Sequence, residues 1–94
     1  MNEKELSKKI GSLITNKRHA NDMTQSDVGK LLKIAFQQVQ KYEKGKNRIP
    51  FPKLVYLLKS LNIKFAELDL VFADVQLPSE QTIQPERVND VEHS

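Results

Sequence analysis

One stretch of twenty residues, Thr24–Glu43, constrains the fold of this chain more than any other. In its first half, Val28 and Leu32 are four residues apart, which places both on one apolar face of a helix. This pattern breaks at Lys33–Ala35, and a second helical pattern follows over Phe36–Lys44. The spacing therefore predicts two short helices joined by a tight turn.

The second of these helices is predicted to have two chemically different sides. At about 100° per residue, Val39 and Tyr42 lie together on one side. The opposite side carries amides, cations and one aromatic ring but no acid, and consists of Phe36, Gln37, Gln40, Lys41 and Lys44. Because exposed helices usually mix charges of both signs, this side is typical of a surface that contacts the edges of base pairs. Gln38 lies between the two sides.

The stretch resembles the helix-turn-helix of the Cro/C1-type repressors, also called the XRE family. The matching residues are Thr24-Gln25 at the start of the first helix, Val28 and Leu32 within it, Ile34 in the turn, Val39 in the second helix, and Tyr42-Glu43-x-Gly45 at its end. The wider resemblance runs from about Ile10 to Leu68. It implies an all-α fold, a compact five-helix domain like that of lambda repressor, and a sequence-specific DNA-binding regulator, most simply a repressor.

Three positions differ from the usual pattern of that family. Lys33 stands where Gly is common, Gly29 where Ala is common, and Ala35 where a Ser or Thr N-cap is common. All three concern the turn and the helix ends beside it, so the differences are expected to be local.

The resemblance and the residue chemistry together give each polar position an expected role. Gln37 or Gln40 can pair with adenine, Lys41 with guanine, and Phe36 with a thymine methyl group. Phosphate contacts are expected from the start of the first motif helix and from the basic loop after the second, at Thr24, Gln25, Lys44, Lys46, Asn47 and Arg48. Thr24 is also expected to be an N-cap that forms a capping box with Asp27.

The resemblance further implies a structural ion pair between Arg18 and Glu43. In the family, an arginine late in the first helix and the glutamate that ends the second motif helix form such a partly buried pair. Its expected role is to hold the first helix against the second motif helix, so that any effect on binding is indirect.

The charge of the chain is unevenly distributed, although its formal net charge is only +3. Residues 1–64 contain 14 Lys and Arg against 5 Asp and Glu, a net charge of +9, whereas residues 65–94 contain 1 against 7, a net charge of −6. A basic body of this kind suggests a polyanionic partner, of which nucleic acid is the commonest.

The rest of the chain predicts three more helices and a tail. An apolar face over Glu3–Ala20 predicts the first helix, and Pro52 is expected at position N1 of the fourth. The fifth helix is expected over Phe65–Phe72, with Phe65, Leu68 and Phe72 on one face. Leu70 and Val71 are additional apolar residues on other faces, expected to form either a dimer surface or part of the small core. The domain is therefore assigned to residues 1–73, and the polar, acidic segment 74–94 is expected to be disordered.

Several functional classes find no support in the sequence. Cysteine is absent, which excludes a disulfide scaffold and suits a reducing compartment, and the two histidines have no second ligand at metal spacing. No catalytic set or phosphate-binding glycine loop is apparent, so we expect neither an enzyme nor a cofactor. The first residues lack the apolar run of a signal peptide, and the longest apolar run, Leu54–Leu58, is too short to span a membrane. A cytoplasmic location is expected.

The expected partner is double-stranded DNA, bound by a homodimer on a pseudo-palindromic operator. Two alternatives remain open from the sequence. The chain could be an antitoxin that also represses its own operon, with its acidic tail covering a basic toxin. It could instead be an adaptor that uses the fold only to bind proteins, although the outer face of the second motif helix disfavours that.

Overall fold

The computed structural model describes residues 1–75 and Leu77, and this part of the chain contains five α-helices and no strand. The helices are α1 Glu3–Ala20, α2 Gln25–Leu32, α3 Phe36–Glu43, α4 Phe51–Ser60 and α5 Phe65–Phe72. This confirms the predicted all-α, five-helix fold. The predicted acidic tail lies, beyond its first two residues and Leu77, outside the described residues.

Polar side chains fix the starts of two helices. Thr24 Oγ1 accepts a hydrogen bond from the Asp27 backbone N–H at 3.0 Å, and Asp27 Oδ2 accepts one from the Thr24 backbone N–H at 2.9 Å. These bonds form the predicted capping box and hold the pKa of Asp27 below its ordinary value. Asn2 and Glu5 form the same arrangement at the start of α1.

Two helix ends differ slightly from the prediction. The second motif helix ends at Glu43, one residue before the predicted Lys44, because the chain turns at Lys44. Helix α4 starts at Phe51, so Pro52 occupies the second helical position and not the first. Proline is tolerated there because the N–H groups of the first helical turn have no partner within the helix. The helix starts at Ala35 and Pro50 have no side-chain cap.

The first four helices all end with the same backbone turn. In each turn one residue adopts a left-handed conformation, with φ between 55° and 72°, at Asp22, Lys33, Gly45 and Asn62. The next N–H then donates to a carbonyl five residues earlier, as in the bond of 2.9 Å from Ile34 N to Gly29 O. This is the Schellman motif.

The residue after the left-handed position decides how each turn packs. After α1, α2 and α4 it is Met23, Ile34 and Ile63, all of which pack on or in the core. After α3 it is Lys46, which is exposed. The turns after α1, α2 and α4 therefore return the chain to the core, while the turn after α3 begins a solvent-exposed basic loop.

The core is small and aliphatic. Its buried members are Ile14, Val28, Leu32, Val39, Leu57, Leu61, Ile63 and Leu68. Tyr42 is the one buried aromatic side chain of the described residues, and all four phenylalanines of the chain are exposed. On the predicted apolar face of α5, Leu68 alone enters the core. Much of the apolar surface of α5 is therefore left uncovered.

Close backbone packing fixes α1 against the end of α3. A Cβ atom added at Gly11 would lie 2.6 Å from the Tyr42 carbonyl oxygen, so no larger residue fits there without movement. Lys17 and Glu67 join α1 to α5 through an ion pair that lowers the pKa of Glu67, and Asn21 donates to the Leu61 carbonyl at 3.1 Å. The first helix thus packs on α3 and α5, and the residue that ends it is bonded to the residue that ends α4. No helix in the described part of the chain combines the length and apolarity needed to cross a membrane.

Candidate nucleic-acid interface

Helix α3 has a buried side and an open side, divided as the sequence indicated. Val39 and Tyr42 are buried against the core. Phe36, Gln37, Lys41 and Lys44 are exposed, and Gln40 is half-buried. Cationic, amide and aromatic groups therefore lie together on the solvent side of one short helix.

The one acid of α3 is turned away from this open side. The side chains of Glu43 and Arg18 are only 6% and 9% exposed. Arg18 Nε donates to Glu43 Oε2 at 2.7 Å, and Arg18 Nη2 donates to Glu43 Oε1 at 3.1 Å, which is a bidentate ion pair. Arg18 Nη1 also donates to the Met23 carbonyl at 3.0 Å. The two residues for which the family resemblance implied an ion pair are thus joined in the structure.

A third side chain completes this arrangement, which we call the Glu43 cluster, consisting of Arg18, Gln25 and Glu43. Gln25 Nε2 donates to Glu43 Oε1 at 3.0 Å. The sequence indicated Gln25 only as a phosphate contact and gave no sign of this bond, because the two residues are eighteen positions apart. The cluster connects the end of α1, the start of α2 and the end of α3.

The electrostatics of the cluster keep Glu43 charged. Burial alone would raise the pKa of Glu43, but the hydrogen bonds from Arg18 and Gln25, together with the charge of Arg18, lower it below its ordinary value. The negative charge of the carboxylate is compensated inside the protein. The open side of α3 consequently carries only positive charge.

The loop after α3 continues this positive surface. Lys44, Lys46, Asn47 and Arg48 are all exposed. Gly45 has φ of 72°, and a Cβ atom there would lie 2.7 Å from Lys8 N, so both the turn and the close approach of α1 favour glycine.

Besides Gln25, two more of the predicted phosphate contacts have partners within the protein. Arg48 Nη2 lies 3.0 Å from Glu3 Oε1 in an exposed ion pair. Thr24 is exposed and uses its hydroxyl oxygen as an acceptor in the capping box. Neither interaction buries the group concerned. Among residues 1–75, no three His, Cys, Asp or Glu side chains are grouped so that they could hold a metal ion.

The pairing of α2 and α3 through a tight turn, with α1, α4 and α5 around them, defines a helix-turn-helix protein. The model of the helix-turn-helix family matches residues 14–68, more than half of the chain. The chain therefore belongs to the Cro/C1-type (XRE) helix-turn-helix family, which is a family of regulators and not of enzymes.

Named relatives share the same region. An uncharacterised HTH-type transcriptional regulator of Sinorhizobium fredii is 38% identical over 55 residues, which are 58% of this chain and 38% of that protein. An uncharacterised HTH-type transcriptional regulator of Sinorhizobium medicae is 43% identical over 54 residues, 57% of this chain and 39% of the relative. An uncharacterised transcriptional regulator in the ATPase CF(0) region of Rhodospirillum rubrum is 31% identical over 67 residues, 71% of this chain and 59% of the relative. The chain spans about two fifths of the length of the first two.

Proposed function

We propose that this chain is a DNA-binding transcriptional regulator that places α3 in the major groove and acts as a repressor. The observation that carries the proposal is the acid-free open side of α3, produced by the inward turn of Glu43 onto Arg18. The family match and the names of the relatives support the same class of protein.

The proposed base and phosphate contacts are assigned from the exposure and the chemistry of each side chain. Phe36, Gln37 and Lys41 extend into solvent and are the proposed base contacts, with the half-buried Gln40 beside them. The proposed phosphate contacts are Thr24, Gln25, Lys44, Lys46, Asn47 and Arg48. Gln25 donates only one of its two amide hydrogens to Glu43, so a second can be donated to a phosphate.

A homodimer is the proposed binding form, because the end of the fold exposes apolar surface. Phe65 and Leu70 of α5 are 85% and 76% exposed, and Phe72 is also exposed. Two copies related by a two-fold axis would read a pseudo-palindromic operator, and occupancy of that operator would block the promoter.

The proposal is tested by selecting bound sequences from random DNA and then measuring variants on the selected site. Lys41→Ala should weaken binding by about 1–3 kcal/mol and relax the preference at one base pair. Its matched control is Lys59→Ala, which removes the same charge from the exposed part of α4 and should change affinity much less. Equal effects of the two substitutions, or no selected sequence at all, would contradict base reading by α3.

A further inference from the structure

A groove beside the basic loop combines apolar walls with a charged rim, and only its rim overlaps the proposed DNA interface. Helix α1, the end of α3 and the segment leading into α4 border this open groove, whose volume is about 210 Å³. Leu6, Ile10, Ile49 and Leu54 form apolar walls, and Tyr42 also lines it. Because most sites for drug-sized ligands measure roughly 300–1,000 Å³, this groove suits a smaller molecule.

The Tyr42 hydroxyl is an unused hydrogen-bonding group of the groove. Tyr42 is only 6% exposed, and its hydroxyl forms no hydrogen bond with any described side chain or backbone group. Among the described residues no fully buried polar atom lacks a partner. Because Tyr42 lines the groove, we assign its hydroxyl as the group that donates to a ligand or accepts from one.

The rim of the groove carries one charge of each sign. Arg48 and Glu3 both line the groove, and their side chains form the 3.0 Å ion pair while remaining 86% and 78% exposed. An ion pair in water is weak and opens easily. A ligand that bears both an ammonium and a carboxylate group can replace it and leave neither charge unpaired.

We propose that this groove binds a free α-amino acid with a large aromatic side chain. The ligand ammonium pairs with Glu3, the ligand carboxylate pairs with Arg48, and the aromatic ring packs between the apolar walls. The Tyr42 hydroxyl then favours a ring that carries a polar atom, so tyrosine is preferred over phenylalanine.

Binding of this amino acid would also regulate the chain. This step rests on the proposed function, in which Arg48 contacts a phosphate. A ligand carboxylate on Arg48 competes with that phosphate, so the bound amino acid should weaken DNA binding. The same residue thus belongs to both surfaces.

The site itself is tested without DNA by titrating the isotope-labelled chain in NMR experiments. L-tyrosine should produce saturable shifts in the groove residues, with a weaker dissociation constant for L-phenylalanine. N-acetyl-tyrosine amide has the same ring but lacks both charges, and it should bind at least about tenfold more weakly. No saturable shift with L-tyrosine, or equal binding of the uncharged derivative, would overturn the proposal.

Substitutions test the contribution of the charged rim separately from that of the Tyr42 hydroxyl. Arg48→Met should weaken L-tyrosine binding about tenfold or more, whereas Lys46→Met, which removes an exposed cation two residues away, should leave it unchanged. Tyr42→Phe keeps the ring and should abolish the preference for tyrosine over phenylalanine. Unchanged binding in Arg48→Met, or an unchanged preference in Tyr42→Phe, would show that the assigned contacts are wrong.

The regulatory step is tested by measuring affinity for the selected DNA site with and without L-tyrosine. The amino acid should reduce affinity several-fold in the wild type and have no effect on Arg48→Met. Saturable NMR binding with unchanged DNA affinity would overturn the competition for Arg48. If the chain selected no DNA, the proposed function would fail, while the NMR titration would still decide the groove.

Discussion

At the scale of single residues, Glu43 has the greatest structural consequence. Replacing it with alanine leaves the guanidinium of Arg18 buried without its partner, and such a change costs about 3–5 kcal/mol. We expect Glu43→Ala to lower the urea midpoint strongly. Glu3→Ala is the matched control, because it breaks an exposed ion pair and should hardly move the midpoint. Similar midpoints for the two variants would show that the Glu43 pair is not buried in solution.

Glu43 also predicts how stability depends on pH. Because its pKa is lower in the folded state than its ordinary value of 4.5, the unfolded state binds a proton more readily. The stabilisation is fully present above the ordinary value and is lost as the pH falls through the folded one. Glu43→Gln cannot titrate at this position, so its free energy of unfolding should fall less steeply in acid. If the free energy of unfolding fell equally steeply with decreasing pH in the wild type and in Glu43→Gln, the lowered pKa of Glu43 would be contradicted.

The sequence predicted well which side of α3 is buried, because burial here follows the helix face. The spacing of Val39 and Tyr42 was enough to identify the inner side of α3, and the outer side followed from it. The sequence pattern could not predict the bond from Gln25 to Glu43 or the pairing of Arg48 with Glu3, because each joins residues far apart in sequence. Periodicity indicates which way a side chain points, but not which distant side chain it meets.

At the scale of secondary structure elements, the turn between α2 and α3 contains a conformational cost. Lys33 has φ of 60°, which is unfavourable for a residue with a Cβ atom and is readily adopted by glycine. Lys33→Gly should therefore raise the free energy of unfolding. The gain is limited to about 1 kcal/mol, because glycine also increases the entropy of the unfolded chain. Urea unfolding measures this change.

The control for this substitution lies in α2, three residues before Lys33. Lys30→Gly introduces glycine at an ordinary helical position of α2 and should destabilise by about 1 kcal/mol. Destabilisation of similar size by both substitutions would mean that Lys33 is not left-handed in solution. Both variants remove one positive charge, so the net charge of the chain is the same in the two.

The helices were largely predictable because their apolar faces and caps are local signals. The bounds of α1 and α5 agree with the sequence prediction, and α3 differs by one residue. Sequence periodicity grouped Phe65, Leu68 and Phe72 on one face, but it could not show that only Leu68 finds a partner. Burial depends on what stands opposite a helix face, and that is a property of the tertiary fold.

At the scale of the whole molecule, the proposed homodimer fixes the geometry of the DNA site. Half-sites should lie about 10–10.5 bp apart, centre to centre, so that both copies approach the same side of the duplex. Inserting about 5 bp between them rotates one half-site to the opposite side and should abolish cooperative binding. Band-shift titrations on both sites measure this. A single half-site that binds as tightly as the full site would exclude the dimer.

The burial of Tyr42 has a practical consequence for spectroscopy. The chain contains no tryptophan and two tyrosines, of which Tyr42 is held in a fixed asymmetric environment and Tyr56 is exposed. Near-ultraviolet circular dichroism of tyrosine should therefore arise mainly from one ring, at the junction of α1, α3 and α4. That signal reports loss of tertiary packing separately from loss of helix, and the wild-type chain already carries this optical probe.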